Sequence, residues 1–205
     1  MFLLWVLVMD RDFGNCYPPE KSRMHEVCGP GAYFFAFALA ARLGGQVIWV
    51  QEKWRSEQIN PSGFARFISP DKLLLVTTKD QKELMAVSEE ALRSSAIAFV
   101  VMEASQPLTL TTGRRLQLAA RDGGTMALAI IPEGVGSNVA ETRWHCAPIF
   151  DGNFYSADST LQRWQLIKNK KGTFGVWHVR WDREAHRVAM VSSIGERTGS
   201  SNLSA

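Results

Sequence analysis

Cysteine pairs and an excess of charge of one sign are both missing from this sequence of 205 residues. Its three cysteines, Cys16, Cys28 and Cys146, lie far apart and form no CxxC pair. Such spacing predicts neither a disulfide framework nor a zinc site, and it is typical of a reducing cytoplasm. The net charge of +3 is too small to indicate nucleic-acid binding from composition alone.

An apolar run, MFLLWVLVM, opens the sequence and ends at Asp10. No basic residue precedes it and no small-residue cleavage site follows it, so we do not expect a signal peptide. The run is well short of the roughly 20 residues that span a bilayer, and we expect no membrane segment. It is interpreted as a buried strand or as the product of a misplaced start codon, with Met9 as the true start.

From Met24 onward, short β-rich runs alternate with amphipathic segments, which predicts an α/β fold. The runs that predict strands are HEVCG, QVIWV, KLLLV, AIAFVVM and TMALAII. AIAFVVM is almost entirely apolar, as expected of a central parallel strand. The segments that predict helices are 32–43, 61–68, 80–93 with Thr78 or Asp80 as its N-cap, and LTLTTGRRLQLAARDGG.

The last third of the chain has a different pattern, because its apolar residues alternate along runs separated by polar or glycine-containing turns. This pattern predicts antiparallel strands in ETRWHCAPI, LQRWQLIKNK, TFGVWHVRW and HRVAMV. With no linker between the two parts, we predict one domain over residues 24–192, after an N-terminal segment over residues 1–23. Residues 193–205 are polar and are predicted to be a disordered tail.

The stretch HEVCGPGAYFFAFALAAR has the strand, glycine turn and helix of a phosphate-binding loop. Such a loop requires G-x-x-x-x-G-K-[ST], in which lysine neutralises phosphate and the hydroxyl binds magnesium. Here phenylalanine replaces both the second glycine and the lysine, and alanine replaces the hydroxyl residue. The residues of this degenerate nucleotide loop are Gly29, Pro30, Gly31, Phe34, Phe35 and Ala36. We therefore expect no tight ATP binding, and we expect YFFAF to pack the helix on the sheet.

Two carboxylates at the ends of predicted strands define the alternative of an unusual ATPase. Glu103 ends the fourth strand, where an ATPase would place its magnesium-binding aspartate. We count it among the residues of the degenerate nucleotide loop. Glu52 follows the second strand, and we interpret it first as an exposed loop carboxylate. Without a phosphate cradle neither has a nucleotide to act on, so the chain is predicted not to be an enzyme. The four histidines show no metal-binding spacing, and no cofactor is expected.

The order of these segments resembles the RecA recombinase core, and in detail it resembles the ImuA family. The resemblance covers about residues 24–191 and is carried by HEVCGPG, QVIWVQE, EEALRSSAIAFVVME, LTTGRRLQLAARDGG, TRW and RWQLIKNKKG. Of these, RRLQLAA with its glycine pair is the most specific. The resemblance implies a RecA-like core with a mostly parallel central sheet, flanking helices and an antiparallel C-terminal extension.

ImuA proteins are RecA-like accessory members of bacterial damage-inducible mutagenesis cassettes. The resemblance therefore implies a non-catalytic, cytoplasmic role in the SOS response and translesion DNA synthesis, with RecA and an ImuB-type polymerase homologue as partners. The chain departs from RecA in its phosphate loop and in PEGVGSNVAE, which stands in place of a long DNA-binding loop. We do not expect it to form filaments on DNA by itself.

LIKNK resembles the segment from which RecA sends two lysines into the ATP of a neighbouring subunit, and Lys168 and Lys170 match those lysines. This suggests that the protein caps one end of a RecA filament. The alternatives are a solvated turn formed by Lys168, Lys170 and Lys171 before Gly172, or contacts from these lysines to DNA phosphates.

Basic residues also interleave with Trp164, Trp177 and Trp181 in the C-terminal strands. Tryptophans beside cations can bind single-stranded DNA, although we interpret these tryptophans first as core residues. The candidate nucleic-acid contacts are Arg163, Lys171, Arg180 and Arg187. A single-stranded-DNA-binding module, a degenerate RecA-family ATPase and a SulA-like cell-division regulator are thus the alternatives to an accessory protein.

Overall fold

A computed structural model describes residues 13–150 and 160–193 of the chain. Within these residues, helices flank a single sheet of nine strands, so the predicted α/β class is confirmed. The strands are β1 (Met24–Cys28), β2 (Val47–Glu52), β3 (Leu73–Thr78), β4 (Phe99–Glu103), β5 (Met126–Ile130), β6 (Thr142–Pro148), β7 (Gln162–Asn169), β8 (Gly175–Asp182) and β9 (Arg187–Ser193). The helices are α1 (Ala32–Leu43), α2 (Pro61–Phe64), α3 (Gln81–Arg93) and α4 (Leu110–Gly123), with a 3₁₀ turn at Pro70–Lys72.

The strand order is β3-β2-β4-β5-β1-β6-β7-β8-β9. β1 to β5 are parallel, and β7, β8 and β9 extend the sheet in antiparallel fashion. This confirms the predicted parallel sheet with an antiparallel C-terminal extension. β6 corrects the prediction in part, since it is antiparallel to β7 but parallel to β1. β5 and β6 lie on opposite sides of β1, so the chain crosses from one side of β1 to the other between them. It then enters β6 running in the same direction as β1.

Most predicted element boundaries agree with the structure because local capping determines them. α1 spans Ala32–Leu43 and ends at Gly44, whose φ of 67° suits glycine. The side chain of Asp80 accepts a hydrogen bond from the Glu83 amide, so Asp80 rather than Thr78 is the N-cap of α3. The helix predicted over 61–68 ends sooner, at Phe64. A turn follows because the rings of Phe64 and Phe67 both enter the core.

Two apolar clusters lie on opposite faces of the sheet. The first lies under α1 and contains most of the buried aromatic residues, including Trp49, Trp144 and Trp164. Phe13 and Tyr17 of the N-terminal segment belong to this cluster. The second cluster lies between the sheet and the α3–α4 pair. The apolar opening run and residues 194–205 of the predicted disordered tail lie outside the described residues, while Ser193 ends β9. None of the described helices is long and apolar enough to cross a membrane.

Candidate functional site

The turn between β1 and α1 is closed by the neighbouring strand β6. Gly31 donates its backbone N–H to the carbonyl of Cys146 at 2.8 Å, so this amide is already occupied. A Cβ at Gly29 would lie 2.5 Å from the same carbonyl oxygen, and one at Gly31 would lie 2.3 Å from Oε1 of Gln162. Gly29 also has a φ of +89°, a conformation that favours glycine. Because they have no Cβ, Gly29 and Gly31 allow β6 and β7 to lie directly against the turn between β1 and α1.

The side chains that replace the phosphate-binding residues pack against the sheet. Phe35, at the lysine position, is fully buried, with its ring 4.8 Å from that of Trp164 and 5.4 Å from that of Trp144. Phe34 is half-buried and contacts Phe67 edge-on at 5.3 Å. Ala36 is buried as well. No cation of α1 therefore faces the turn where a phosphate would lie.

Glu103, at the position of the magnesium-binding carboxylate, is held by its own chain. It is buried and accepts hydrogen bonds from the Tyr33 hydroxyl at 2.7 Å and from Nε1 of Trp49 at 2.6 Å. The Arg55 guanidinium lies 3.3 Å from the same carboxylate. Burial and the hydrogen bond to Glu103 raise the pKa of Tyr33, so its hydroxyl stays protonated as a donor. Two hydrogen bonds and one ion pair thus satisfy the carboxylate that would otherwise be available to a metal ion.

Glu52 is not the exposed loop carboxylate that we predicted, since its exposed fraction is only 4%. β2 extends through this residue because it continues to pair with Thr78 of β3. Side chains alternate along a strand, so Glu52 lies on the same face of the sheet as Val50. Val50 belongs to the second cluster. Trp49 donates a hydrogen bond to Glu103 and belongs to the first cluster, on the other face. Glu52 and Glu103 therefore lie on opposite faces of the sheet.

The two lysines matched to RecA bind a loop of their own chain. Nζ of Lys168 donates to the backbone carbonyls of Ser137 and Asn138, each at 3.0 Å, and to that of Ala140. Nζ of Lys170 donates to the carbonyl of Val139 at 2.7 Å. Both ammonium groups therefore hold the segment 137–140, which precedes β6.

The solvated-turn interpretation is wrong for Lys168 alone, because Lys170 and Lys171 are exposed and lie in the turn after β7. Lys168 is half-buried, and burial lowers its pKa, with repulsion from Arg143 adding to the effect. Lys171 is exposed and lies 2.8 Å from the carboxylate of Glu20. A turn does follow β7, because Gly172 donates its N–H to the Asn169 carbonyl.

A buried ion pair beneath this loop is a feature that the sequence analysis missed. Glu26, in the middle of β1, is fully buried and accepts a hydrogen bond from Nε of Arg143 at 2.7 Å. The other oxygen of Glu26 accepts the backbone N–H of Ser137 at 2.8 Å. Arg143 also donates to the Ser137 carbonyl. A carboxylate in the middle of a strand was the available signal, but its partner lies more than a hundred residues away.

The candidate arginines and the three tryptophans of the antiparallel extension lie on opposite faces of the sheet. Trp164, Trp177 and Trp181 are buried in the first cluster, which confirms their interpretation as core residues. Strand register places Arg163 opposite His178, Arg180 opposite Ala189 and Arg187 opposite Asp182, on the other face of the extension. Lys171 lies in the turn after β7.

The residues that the structure describes form no cluster of metal ligands. Within 13–150 and 160–193, no three His, Cys, Asp or Glu side chains converge on a point that could hold a metal ion. The groups around the turn between β1 and α1 contact other groups of the same chain, and two exposed features lie elsewhere, at the edge strand β3 and between α3 and α4.

Comparison with known proteins supports the resemblance inferred from the sequence. No family model matches the chain. The ImuA proteins of two Caulobacter vibrioides strains, NA1000 / CB15N and ATCC 19089 / CIP 103742 / CB 15, are each 30% identical to it over 125 residues. The match covers 56% of this chain and 50% of each relative, so the chain spans about half the length of the curated relatives it matches. The predicted resemblance is thereby confirmed, and the chain is a relative of the ImuA proteins.

Proposed function

We propose that this protein is a non-catalytic accessory factor of damage-induced mutagenesis. It acts in the cytoplasm, in the SOS response and translesion DNA synthesis, by binding RecA and an ImuB-type polymerase homologue. The similarity to ImuA supports the process, and the closed turn between β1 and α1 supports the absence of catalysis. The observation that carries the proposal is the burial of Phe35 where an ATPase needs a lysine facing phosphate.

The two acidic residues support the same conclusion. Glu103 is satisfied by Tyr33, Trp49 and Arg55, while Glu52 lies on the other face of the sheet. A magnesium ion and an activated water would need both carboxylates beside one phosphate. The positions of these residues therefore favour a binding role over the degenerate ATPase.

The edge strand β3 supports a role in binding proteins. It ends the sheet, and Leu74 and Leu75 are 48% and 45% exposed. Its sequence, LLLVTT, contains no charge and no proline, the usual devices that protect an edge from pairing. Such an edge can accept an extended segment of another protein as a further strand.

The charges at the ends of β3 favour a different partner over a second copy of this chain. Lys72 and Lys79 flank the strand, and both are exposed. Antiparallel pairing of two β3 strands would place Lys72 of one copy near Lys79 of the other. The same pairing would place Asp71 near Asp80, and like charges opposite each other destabilise strand pairs, so a segment of a different protein is preferred over a second copy.

Binding to purified RecA and to the ImuB-type protein of the same organism tests the proposal directly. We expect the wild-type chain to bind at least one of them, and the Leu74→Lys/Leu75→Lys variant to bind that partner at least about tenfold more weakly. Leu118→Lys, at a similarly exposed leucine on α4, is the matched control. Equal melting temperatures of the three proteins would show that the loss is local. Failure of the wild-type chain to bind either partner would contradict the proposal.

Two further measurements separate the alternatives. Millimolar Mg-ATP should leave the melting temperature unchanged, whereas an increase would favour the ATPase alternative. RecA filament length on single-stranded DNA should be compared with the wild-type chain, Lys168→Ala/Lys170→Ala and the control Lys171→Ala. Shortening that disappears only in the double variant would assign filament capping to the two lysines, which must then release the loop over 137–140.

A further inference from the structure

The helices α3 and α4 touch at one end and diverge at the other. A Cβ at Gly123 would lie 1.9 Å from the carbonyl oxygen of Leu92, so only glycine allows the C-terminal ends to approach this closely. Both helices follow parallel strands, and their N-terminal ends therefore lie at the same edge of the sheet. Between those ends is a cleft of about 470 Å³.

The cleft has an apolar floor and a polar rim. Met85, Leu108 and Leu116 form the floor, and all three are buried. Exposed Lys82 and Arg115 stand on the rim. An apolar floor ringed by polar groups is the usual composition of a surface that binds another molecule.

The charges around the cleft favour an anionic partner. Glu89 is the acidic residue of its lining, and its oxygens lie 2.7 Å from Nη1 of Arg93 and 2.6 Å from Nη2 of Arg115. Burial raises the pKa of Glu89, but the hydrogen bonds from both arginines outweigh it and hold this pKa below its usual value. Glu89 thus stays ionised and is compensated by the two arginines, and Lys82 leaves the rim with an excess of positive charge.

A small molecule would find little to orient it in this cleft. Among the described residues, no side chain that lines the cleft has a buried polar atom without a hydrogen-bond partner. Small-ligand sites normally place a few such polar groups against the ligand to fix its orientation. A peptide can instead place one apolar side chain on the floor and let flanking carboxylates contact the rim.

We propose that the cleft between α3 and α4 binds a short segment of a partner protein in which an apolar side chain lies next to a carboxylate. The proposal rests on the proposed function, since it supplies a docking surface for a protein partner. The surface is separate from the edge strand β3, so the chain offers a site for each of two partners.

Binding to arrays of short synthetic peptides tests the chemistry of the occupant. The peptides carry a central leucine or phenylalanine flanked by aspartate, by asparagine or by lysine. We expect the full-length chain to bind the aspartate set at least about tenfold more tightly than the asparagine set. Lys82→Glu should reduce this preference, whereas Lys21→Glu, at an exposed lysine outside the cleft, should leave it unchanged. Equal binding of the three sets, or of none, would overturn the proposal.

A second variant tests the location without removing any core side chain. Ala86 is an exposed residue in the cleft lining, so Ala86→Trp should fill the cleft and abolish binding of the aspartate peptides. Ala96→Trp, at an exposed alanine after α3, is the control. Peptide binding that survives Ala86→Trp would place the site elsewhere and refute the proposal.

The same variants distinguish failure of this inference from failure of the proposed function. If RecA or the ImuB-type protein binds the wild type and Ala86→Trp equally, and the aspartate peptides do not bind, the cleft proposal is wrong and the proposed function stands. If the aspartate peptides bind and Ala86→Trp abolishes this binding, but neither protein binds the chain, the proposed function fails and the cleft proposal stands.

Discussion

At the scale of single residues, one backbone amide and one ring account for the closed turn between β1 and α1. The Gly31 N–H is bonded to Cys146, so a phosphate at this position would have to displace a carbonyl oxygen. The Phe35 ring occupies the interior next to Trp144 and Trp164. A lysine at position 35 would place a charge in this apolar cluster, which is costly without a partner.

His25 provides the prediction at this scale. It is buried, and Nε2 lies 2.8 Å from the Glu20 carbonyl while Nδ1 lies 2.8 Å from the Thr142 hydroxyl. Burial lowers its pKa from 6.5 to about 4, so the folded state holds the neutral ring. The unfolded chain therefore binds a proton more readily, and stability falls as the pH drops from about 6.5 towards 4. The loss should approach about 3 kcal/mol in the free energy of unfolding.

Urea unfolding between pH 7.5 and pH 4.5, at about half-unit steps, measures this loss. His25→Gln should be less stable at neutral pH but should lose less stability on acidification. His186→Asn is the control, because His186 is exposed and its φ of 50° is one that asparagine tolerates. The same pH dependence in wild type and His25→Gln would show that another group is responsible.

At the scale of elements, the α3–α4 pair shows how one glycine determines the shape of a surface. Contact at Gly123 and Leu92 brings the C-terminal ends together, and the cleft opens where larger side chains separate the helices. The α3–α4 pair also covers the second cluster, which includes Leu84, Leu92 and Leu116. A change at the contact point should therefore affect both the packing and the cleft.

Gly123→Ala tests this contact. The added methyl group would overlap the Leu92 carbonyl, so the helices must separate, at a cost of about 2 to 3 kcal/mol in the free energy of unfolding. Gly63→Ala in α2 is the control, since no heavy atom lies within 4 Å of the added Cβ. Because alanine favours a helix, this control should be neutral or slightly stabilising. Chemical denaturation of both variants measures their free energies of unfolding. An unchanged free energy of unfolding for Gly123→Ala would mean that the contact is unimportant.

At the scale of the whole molecule, the parallel sheet and the antiparallel extension share one hydrogen-bonded framework. β1 pairs with β5 on one side and with β6 on the other. The first cluster continues across this junction, for example where the ring of Phe67 contacts both Phe37 and Trp181. Neither part buries this face without the other.

This continuity predicts a single cooperative unfolding transition. Far-UV circular dichroism and tryptophan fluorescence should give the same denaturant midpoint, because Trp49 and Trp164 lose their environments together. Trp54→Phe removes the signal of a tryptophan that is 62% exposed and sharpens the comparison. Two separated midpoints would show that the extension unfolds independently of the parallel sheet.

Much of the architecture could be predicted because its signals are local. Alternation and helical periodicity, Asp80 as a cap and Gly44 as a terminator all act within a few residues of the chain. The loss of the phosphate loop's lysine and hydroxyl could also be read directly at Phe35 and Ala36. These local signals sufficed for the α/β class, and the ordered segments sufficed for the resemblance to ImuA.

The tertiary structure alone decided which distant groups meet. The pairing of Glu26 with Arg143, the carbonyl partners of Lys168 and the burial of Glu52 depend on strand order and on the faces of neighbouring strands. Glu26 and Ser137 are 111 residues apart, and β1 intervenes between β5 and β6 in the sheet. Most elements and the loss of the phosphate-binding residues could be inferred without the structure, because the signals for both are local. Packing determined the buried ion pair, the contacts of the loop over 137–140 and the cleft between α3 and α4, because each requires contact between segments far apart in the chain.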